Sequence, residues 1–308
     1  MNKRPFIFLI ILCLAVVGLT ALSLFKNQNP AVSPSARPAR IVSLAPDITE
    51  ILFALGLDEK IAAVSSDSDY PPAAARKNKV GTFWQPNTEA VIASKPDLVI
   101  AQWFEQQKAV ADSLSRLGYP VLILKMEKIE ELFSAIQQIA KAAGCPQAAD
   151  ELLNNIHSEL NTLQSKCKSV EKIKVLWAVQ NEPLRIAGRD TFINEMIELA
   201  GGENAIGPAI QQYPHIGTEQ LLAGGAEVII QSAMKNNNIE KERQAAETFW
   251  SRWPGLPAVK NKRIYVVDGD AVLRLGPRLP KGIEIIARCL HPDIFQTRDI
   301  TLKIKQDD

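Results

Sequence analysis

The strongest constraint on this chain is an internal echo. Residues 88–102 read TEAVIASKPDLVIAQ and residues 218–232 read TEQLLAGGAEVIIQS. In register, Thr88-Glu89 matches Thr218-Glu219, Ala93 matches Ala223, Asp97 matches Glu227, and Leu98–Ile100 matches Val228–Ile230. Each copy reads as a helix start, a short helix, a break and a buried strand. A chain that repeats this unit is expected to build two similar lobes. Two matched acids, one per lobe, suit docking onto a partner with two-fold symmetry, whose halves offer equivalent surfaces. The plainer reading is that Thr caps a helix and Glu favours its positive end.

Between and around the echoes, short apolar runs alternate with helical patterns. Strands are expected at 40–45, 61–64, 97–101 and 120–124, with helices at 48–55, 105–117 and 128–143 and a short one opened by Thr88-Glu89. A second series follows, with strands at 174–179, in the echo segment and at 263–267, and helices near 191–199, 240–250 and 282–290. Pro46-Asp47 is read as ending the first strand, and Gly201-Gly202-Glu203-Asn204 as a helix end and turn. Such alternation implies mainly parallel sheets covered on both faces. Residues 147–165 differ: Ala148, Leu152, Ile156, Leu160 and Leu163 recur at helical spacing without Gly or Pro. The expected fold is α/β, with two lobes joined by one long backbone helix and a ligand cleft between them.

Residues 1–25 begin with basic Asn2-Lys3-Arg4 and continue as an apolar run, which reads as a signal peptide or an uncleaved membrane anchor. Ala21-Leu22-Ser23 offers a small-x-small cleavage site, whereas Leu12 before Cys13 makes a poor lipoprotein site. Residues 26–39, rich in Asn, Pro, Ser and Ala, read as a linker. The remainder divides into an N-terminal lobe at 40–145, a backbone helix and connection at 146–170, a C-terminal lobe at 171–295 and a tail at 296–308. The net charge of +1 gives no reason to expect a nucleic-acid partner. Cys145, Cys167 and Cys289 fit no zinc spacing, and the first two bracket one helix that holds them about 30 Å apart, too far for a bridge. No nucleophile–base pair, phosphate loop or paired-carboxylate motif points to an enzyme.

RIVSLAPDITEILFALGL from Arg40, SDSDYPP from Ser66 and TFWQPNTEAVIASKPDLVIA from Thr82 resemble the N-lobe of periplasmic binding proteins with a helical backbone. AGGENAIG from Ala200, YPHIGTEQLLA from Tyr213, VVDGDAVLRLGPRL from Val266 and Leu290-His291-Pro292 resemble the C-lobe. These proteins serve ABC importers of cobalamin, ferric siderophores and haem, and the likeness is greatest to the cobalamin-binding branch. The resemblance implies a periplasmic solute-binding protein, secreted or tethered to the inner membrane, that hands a small metal chelate to a permease dimer. The ligand would be a corrinoid first, then a ferric siderophore or haem, with no resident cofactor or metal. A membrane-anchored sensor domain is the alternative of another class.

The resemblance also supplies site residues. Glu89 and Glu219 fall at the permease-docking acids. Trp84 falls at a cleft tryptophan and Trp103 lies one position from a second. Asp67 stands where the corrinoid binders carry a tyrosine. Asn181 follows a strand end, Tyr213 matches an aromatic on the cleft rim, and Arg274 and Arg278 lie where siderophore binders hold anionic complexes. His215 is a weaker candidate beside Tyr213. Cys289 matches one member of a family disulfide, but Ala200 occupies the other, so that staple is missing.

Overall fold

The computed structural model describes residues 37–233 and 238–295. The expected signal or anchor, most of the linker and the tail lie outside them. Among the described residues, no helix is long and apolar enough to cross a membrane.

The N-terminal lobe runs β1 (Ile41–Ser43), α1 (Pro46–Ala54), β2 (Ile61–Val64), α2 (Pro72–Ala75), β3 (Asn78–Lys79), α3 (Thr88–Ala93), β4 (Leu98–Gln102), α4 (Glu105–Arg116), β5 (Val121–Leu124) and α5 (Ile129–Ala143). Its five strands pair in parallel in the order β3-β2-β1-β4-β5. The chain reverses its direction of build between β1 and β4, which opens a crevice at their carboxyl ends. Helix α6 (Pro146–Cys167) follows. The C-terminal lobe runs β6 (Ile173–Gln180), β7 (Arg185–Ile186), α7 (Phe192–Leu199), β8 (Gly202–Asn204), α8 (Thr218–Gly224), β9 (Val228–Ala233), α9 (Ile239–Trp250), α10 (Pro257–Lys260), β10 (Ile264–Asp268), α11 (Gly269–Val272) and α12 (Leu279–Leu290).

The echo is topological as well as sequential. In the N-lobe the order β2-β1-β4-β5 is all parallel, and in the C-lobe β8-β6-β9-β10 is all parallel too. The echoed strands β4 and β9 hold the same place in each sheet. The echoed acids also do the same work. Asp97 accepts hydrogen bonds from the Ala39 and Arg40 N–H groups at 2.9 Å, and Glu227 accepts one from Lys174 N–H at 2.9 Å. Each acid therefore pins the entrance of its lobe's first strand to the start of the echoed strand.

Strand alternation sorts side chains to two faces. Ile41, Leu98 and Ile100 face a central core, while Val42, Val99 and Ala101 face an outer one. In the second lobe Val175, Trp177, Val228 and Ile230 join that same central core, while Leu176, Ala178 and Ile229 face the opposite side. Both faces are buried, which is why these strands read as continuous apolar runs. The central core passes through α6 and is shared by both lobes.

Several local expectations are corrected. The buried stripe of α6 is Ala149, Leu153, Ile156, Leu160, Leu163 and Cys167, so Ala148 and Leu152 sit at the edge of the face rather than on it. Pro46 opens α1 instead of merely ending β1, because its fixed φ suits the first helical position. Thr88 does not cap α3: Asn87 does, its Oδ1 accepting from Ala90 N–H at 2.8 Å. Gly217, not Thr218, is the cap residue of α8, with Gln220 Oε1 accepting its N–H at 3.4 Å. The Gly-Gly-Glu-Asn segment is more than a turn, since its last three residues form β8 on β6. Gly201 takes φ 83° to leave α7, and a Cβ on Gly202 would lie 2.8 Å from Leu290 Cδ1 and 2.9 Å from Ile197 Cγ2. Cys145, Cys167 and Cys289 are all free, and burial raises the Cys289 thiol pKa to about 12.

Candidate functional site

The loop between β3 and α3 is stiff. Gly81 and Pro86 form an isolated bridge, and Thr82 Oγ1 accepts from Gln85 N–H at 3.0 Å. Gly81 has φ 93°, and a Cβ there would approach Gln85 O to 2.4 Å, so the loop requires glycine. Held this way, Trp84 stands 59% exposed and stacks edge-on with Phe83 at 4.8 Å between ring centres. Phe104 completes a three-ring cluster, 5.3 Å from Phe83 and 5.9 Å from Trp84. Trp103, one residue beyond β4, is 54% exposed, with Lys108 Nζ 4.5 Å above its ring.

Two polar residues fix this aromatic wall. Asp67 Oδ2 accepts from Phe83 N–H at 2.6 Å, so its carboxylate braces the loop. Gln107 is fully buried and joins three segments. It accepts from Gln102 N–H at 2.8 Å and donates to Leu44 O at 3.2 Å and Phe83 O at 3.1 Å. Sequence reading passed over Gln107 and Phe104. Gln107 lies inside an amphipathic helix pattern that gives no sign of a buried amide. The apolar Phe104 beside Trp103 was the available signal for the other.

Arg274 and Arg278 meet the N-lobe directly. Arg278 Nε and Nη2 donate to Glu50 Oε2 and Oε1 at 2.8 and 2.6 Å, and its Nη1 pairs with Asp270 at 3.1 Å. Its guanidinium carbon also lies 3.9 Å from the centre of the Tyr70 ring. Arg274 Nη1 donates to Asp69 at 2.7 Å and Glu50 at 3.4 Å, while its Nη2 pairs with Asp270 at 2.8 Å and donates to Asp67 O at 3.3 Å. Burial pulls the Arg278 pKa down, but hydrogen bonding and attraction to Glu50 and Asp270 outweigh it and hold the group cationic. Asp47, one helical turn before Glu50, is buried and accepts from Ile48 N–H at 2.8 Å and from the Gln102 amide. Burial is the main reason its pKa rises to about 7, with Ile48 N–H opposing the rise and Glu50 adding to it.

On the C-lobe, Asn181 follows β6 and accepts from Gln231 Nε2 at 2.6 Å, and Gln231 in turn accepts from Trp250 Nε1 at 3.1 Å. This chain ties together the ends of the adjacent strands β6 and β9. Tyr213 packs half-buried against the central core. Burial, then the charge of Glu127 beyond β5, raises its phenol pKa. His215 is exposed, and its Nε2 accepts from Arg185 Nη2 at 2.8 Å, since a guanidinium has only donors. Glu89 and Glu219 are both exposed, each at the second position of its helix. The structure thus brings Arg274 to the Asp67 carbonyl, sets Arg278 over Tyr70 and places Trp84 beside Phe83. Asn181, Tyr213 and His215 occupy the other lobe.

A family model described as "Periplasmic binding protein" matches residues 41–271, more than half of the chain. An uncharacterized ABC transporter substrate-binding lipoprotein of Bacillus subtilis is 33% identical over 278 residues, covering 87% of this chain and 85% of its own. A vitamin B12-binding protein of Vibrio parahaemolyticus is 28% identical over 253 residues, covering 82% and 88%. Among solved structures, a periplasmic heme-binding protein of Vibrio cholerae superposes with a TM-score of 0.73 at 26% identity, covering 82% of this chain and 99% of its own.

Proposed function

The chain belongs to the periplasmic binding protein family and is a binding protein rather than an enzyme; from that premise we propose that it captures a corrinoid between its lobes and delivers it to an ABC importer. The observation that carries this reading is the aromatic wall. Trp84 is held outward by a glycine-dependent loop and braced by Phe83 and Phe104, with Trp103 exposed nearby. An amphipathic indole fixed in the open at the carboxyl end of an α/β sheet offers a flat ring ligand a large apolar contact at little entropic cost. Tyr213 and Asn181 supply a half-buried phenol and a fixed amide from the opposite lobe for packing and a few polar contacts. The ligand is then held by its periphery, without direct metal coordination. The vitamin B12-binding relative supports a corrinoid. The superposition on a heme-binding protein makes haem the second reading, because that fold is equally compatible with this one.

Delivery requires handles that the ligand does not use. Glu89 and Glu219 sit at equivalent helix starts on topologically equivalent units, and both are exposed. In this reading they meet equivalent basic surfaces on a permease dimer, where charge pairing sets register and encounter rate. The N-terminal apolar run would direct the chain across the cytoplasmic membrane. The test is a visible-absorbance titration of the purified protein with cyanocobalamin, hemin and a ferric trihydroxamate, because each chromophore reports separately. A saturable shift with cyanocobalamin supports the corrinoid; saturation by hemin alone replaces it with haem.

A further inference from the structure

Among the described residues, ionic contacts join the two lobes at two separate places. The first is a clasp in which Arg278 and Arg274 of the C-lobe hold Glu50 and Asp69 of the N-lobe. The second has the opposite polarity. Lys128, just before α5 in the N-lobe, has its Nζ 2.5 Å from Asp190 Oδ1 and 3.9 Å from Glu195 Oε1 of the C-lobe. Glu195 Oε2 also accepts from Ile129 N–H at 2.8 Å. Lys128 offers α5 no side-chain cap, so a carboxylate of the other lobe serves the positive end of this 15-residue helix.

Sheet order sets the two ties apart. In the N-lobe the acids of the clasp follow β1 and β2, and Lys128 follows β5; β4 lies between, with Trp103 just beyond it. In the C-lobe the arginines follow β10 at one edge and Asp190 follows β7 at the other; between them β6 leads to Asn181. The ties therefore stand on either side of the strand ends that carry Trp103 and Asn181. Burial, and after it the charge of Glu127, raises the Tyr213 pKa, so the residue before Lys128 lies near the C-lobe aromatic of the proposed site.

We propose that these two ties set the width of the cleft before a ligand arrives, and that Glu195 is a positioning residue for capture, acting through α5 and touching no ligand. That role rests on the ligand lying between the lobes, as in the reading above. An exposed pair such as Lys128 with Asp190 contributes little alone. The part-buried bond from Ile129 N–H to Glu195 and the two-pronged grip of Arg278 on Glu50 contribute more. Helix α6 connects the lobes along one line, and two ties at separate points resist rotation about it. A protein whose cleft is correctly spaced only part of the time binds more weakly by that fraction.

The test reads ligand-free hydrogen exchange and ligand affinity on the same variants. In Glu195→Ala, exchange should rise at amides 128–133 and also, across the cleft, at 66–70 and 270–278 in the clasp. Affinity for cyanocobalamin, measured by calorimetry, should fall about fivefold. Glu195→Gln keeps an acceptor for Ile129 N–H and should fall in between. If Glu195→Ala does not fold, Asp190→Asn, at a side chain 71% exposed, releases Lys128 and should shift both readouts in the same direction. Exchange that rises only at 128–133 reduces Glu195 to a helix cap and overturns the proposal. Unchanged affinity despite raised exchange at both ties overturns it too. The exchange arm needs no ligand, so the two readings fail separately. A wild-type protein that ignores cyanocobalamin overturns the corrinoid reading, and the ties are then judged by exchange and by affinity for whichever of hemin and the ferric trihydroxamate it binds.

Discussion

Arg278 grips Glu50 with two parallel hydrogen bonds, 2.8 Å from Nε and 2.6 Å from Nη2, although the residues lie 228 positions apart and in different lobes. Bidentate pairing of this kind fixes geometry as well as charge. Truncating either partner removes both bonds and leaves the other, among poorly hydrated neighbours, with one longer ionic contact: Arg278 with Asp270 at 3.1 Å or Glu50 with Arg274 at 3.4 Å. Glu50→Ala or Arg278→Ala is therefore expected to lower unfolding stability by roughly 3–5 kcal/mol. The double variant Glu50→Ala with Arg278→Ala should lose less than the two single losses combined. Urea denaturation of the four proteins, analysed as a double-mutant cycle, measures this coupling.

Asp47 gives the protein a pH signature. Its pKa of about 7 in the fold stands above the ordinary 3.8, so the folded state holds a proton that the unfolded chain releases. Its stabilising contribution is complete below about pH 3.8 and falls as pH rises through 7, by on the order of 4 kcal/mol. Burial raises the Glu50 pKa too, against the pull of Arg278 and Arg274, and contributes with the same sign. Melting temperatures between pH 4 and 8 should decline in the wild type, and Asp47→Asn should flatten much of that slope.

Gln107→Leu should loosen the aromatic wall without touching it. The substitution leaves Leu44 O, Phe83 O and Gln102 N–H without their amide partner. A cost of about 1–3 kcal/mol in stability is expected for such buried groups. Tryptophan fluorescence should also report a more mobile Trp84, as lower steady-state anisotropy.

Much of the architecture was legible in the sequence because the echo and the apolar alternation both carry topological information. Asp97 and Glu227 align in sequence and perform the same backbone contact. The long helix announced itself by spacing, but its face was off by one residue at Ala148 and Leu152, since the buried stripe could be placed only against neighbours unknown from sequence. Asn87 and Gly217 cap helices that Thr88 and Thr218 were expected to cap. A polar or small residue one position earlier competes on backbone geometry, which sequence alone does not display. β8 was hidden because Gly202 enters the sheet for steric reasons and carries no apolar signal. The clasp that Glu50, Asp69 and Asp270 form around Arg274 and Arg278 was the least legible feature. Arg274 and Arg278 were visible as a pair, but their acidic partners Glu50 and Asp69 lie more than two hundred residues away.

Glu89→Lys and Glu219→Lys should each impair association with the permease and uptake, and the double variant should abolish both. Neither residue takes part in the aromatic wall or the clasp, so ligand affinity in solution should be nearly unchanged. Pull-down on permease-containing nanodiscs, paired with ligand titration, separates the two effects. Normal docking by the double variant would reduce the Thr-Glu echo to helix electrostatics.

The central claim, that a corrin ring packs against Trp84, is tested most directly by calorimetric titration of wild-type protein and Trp84→Ala with cyanocobalamin. Saturable one-to-one binding by the wild type, weakened by roughly 1–3 kcal/mol in Trp84→Ala with an unchanged melting temperature, is the predicted result. A wild-type protein that does not bind cyanocobalamin, or a Trp84→Ala protein that binds it equally well, would contradict it.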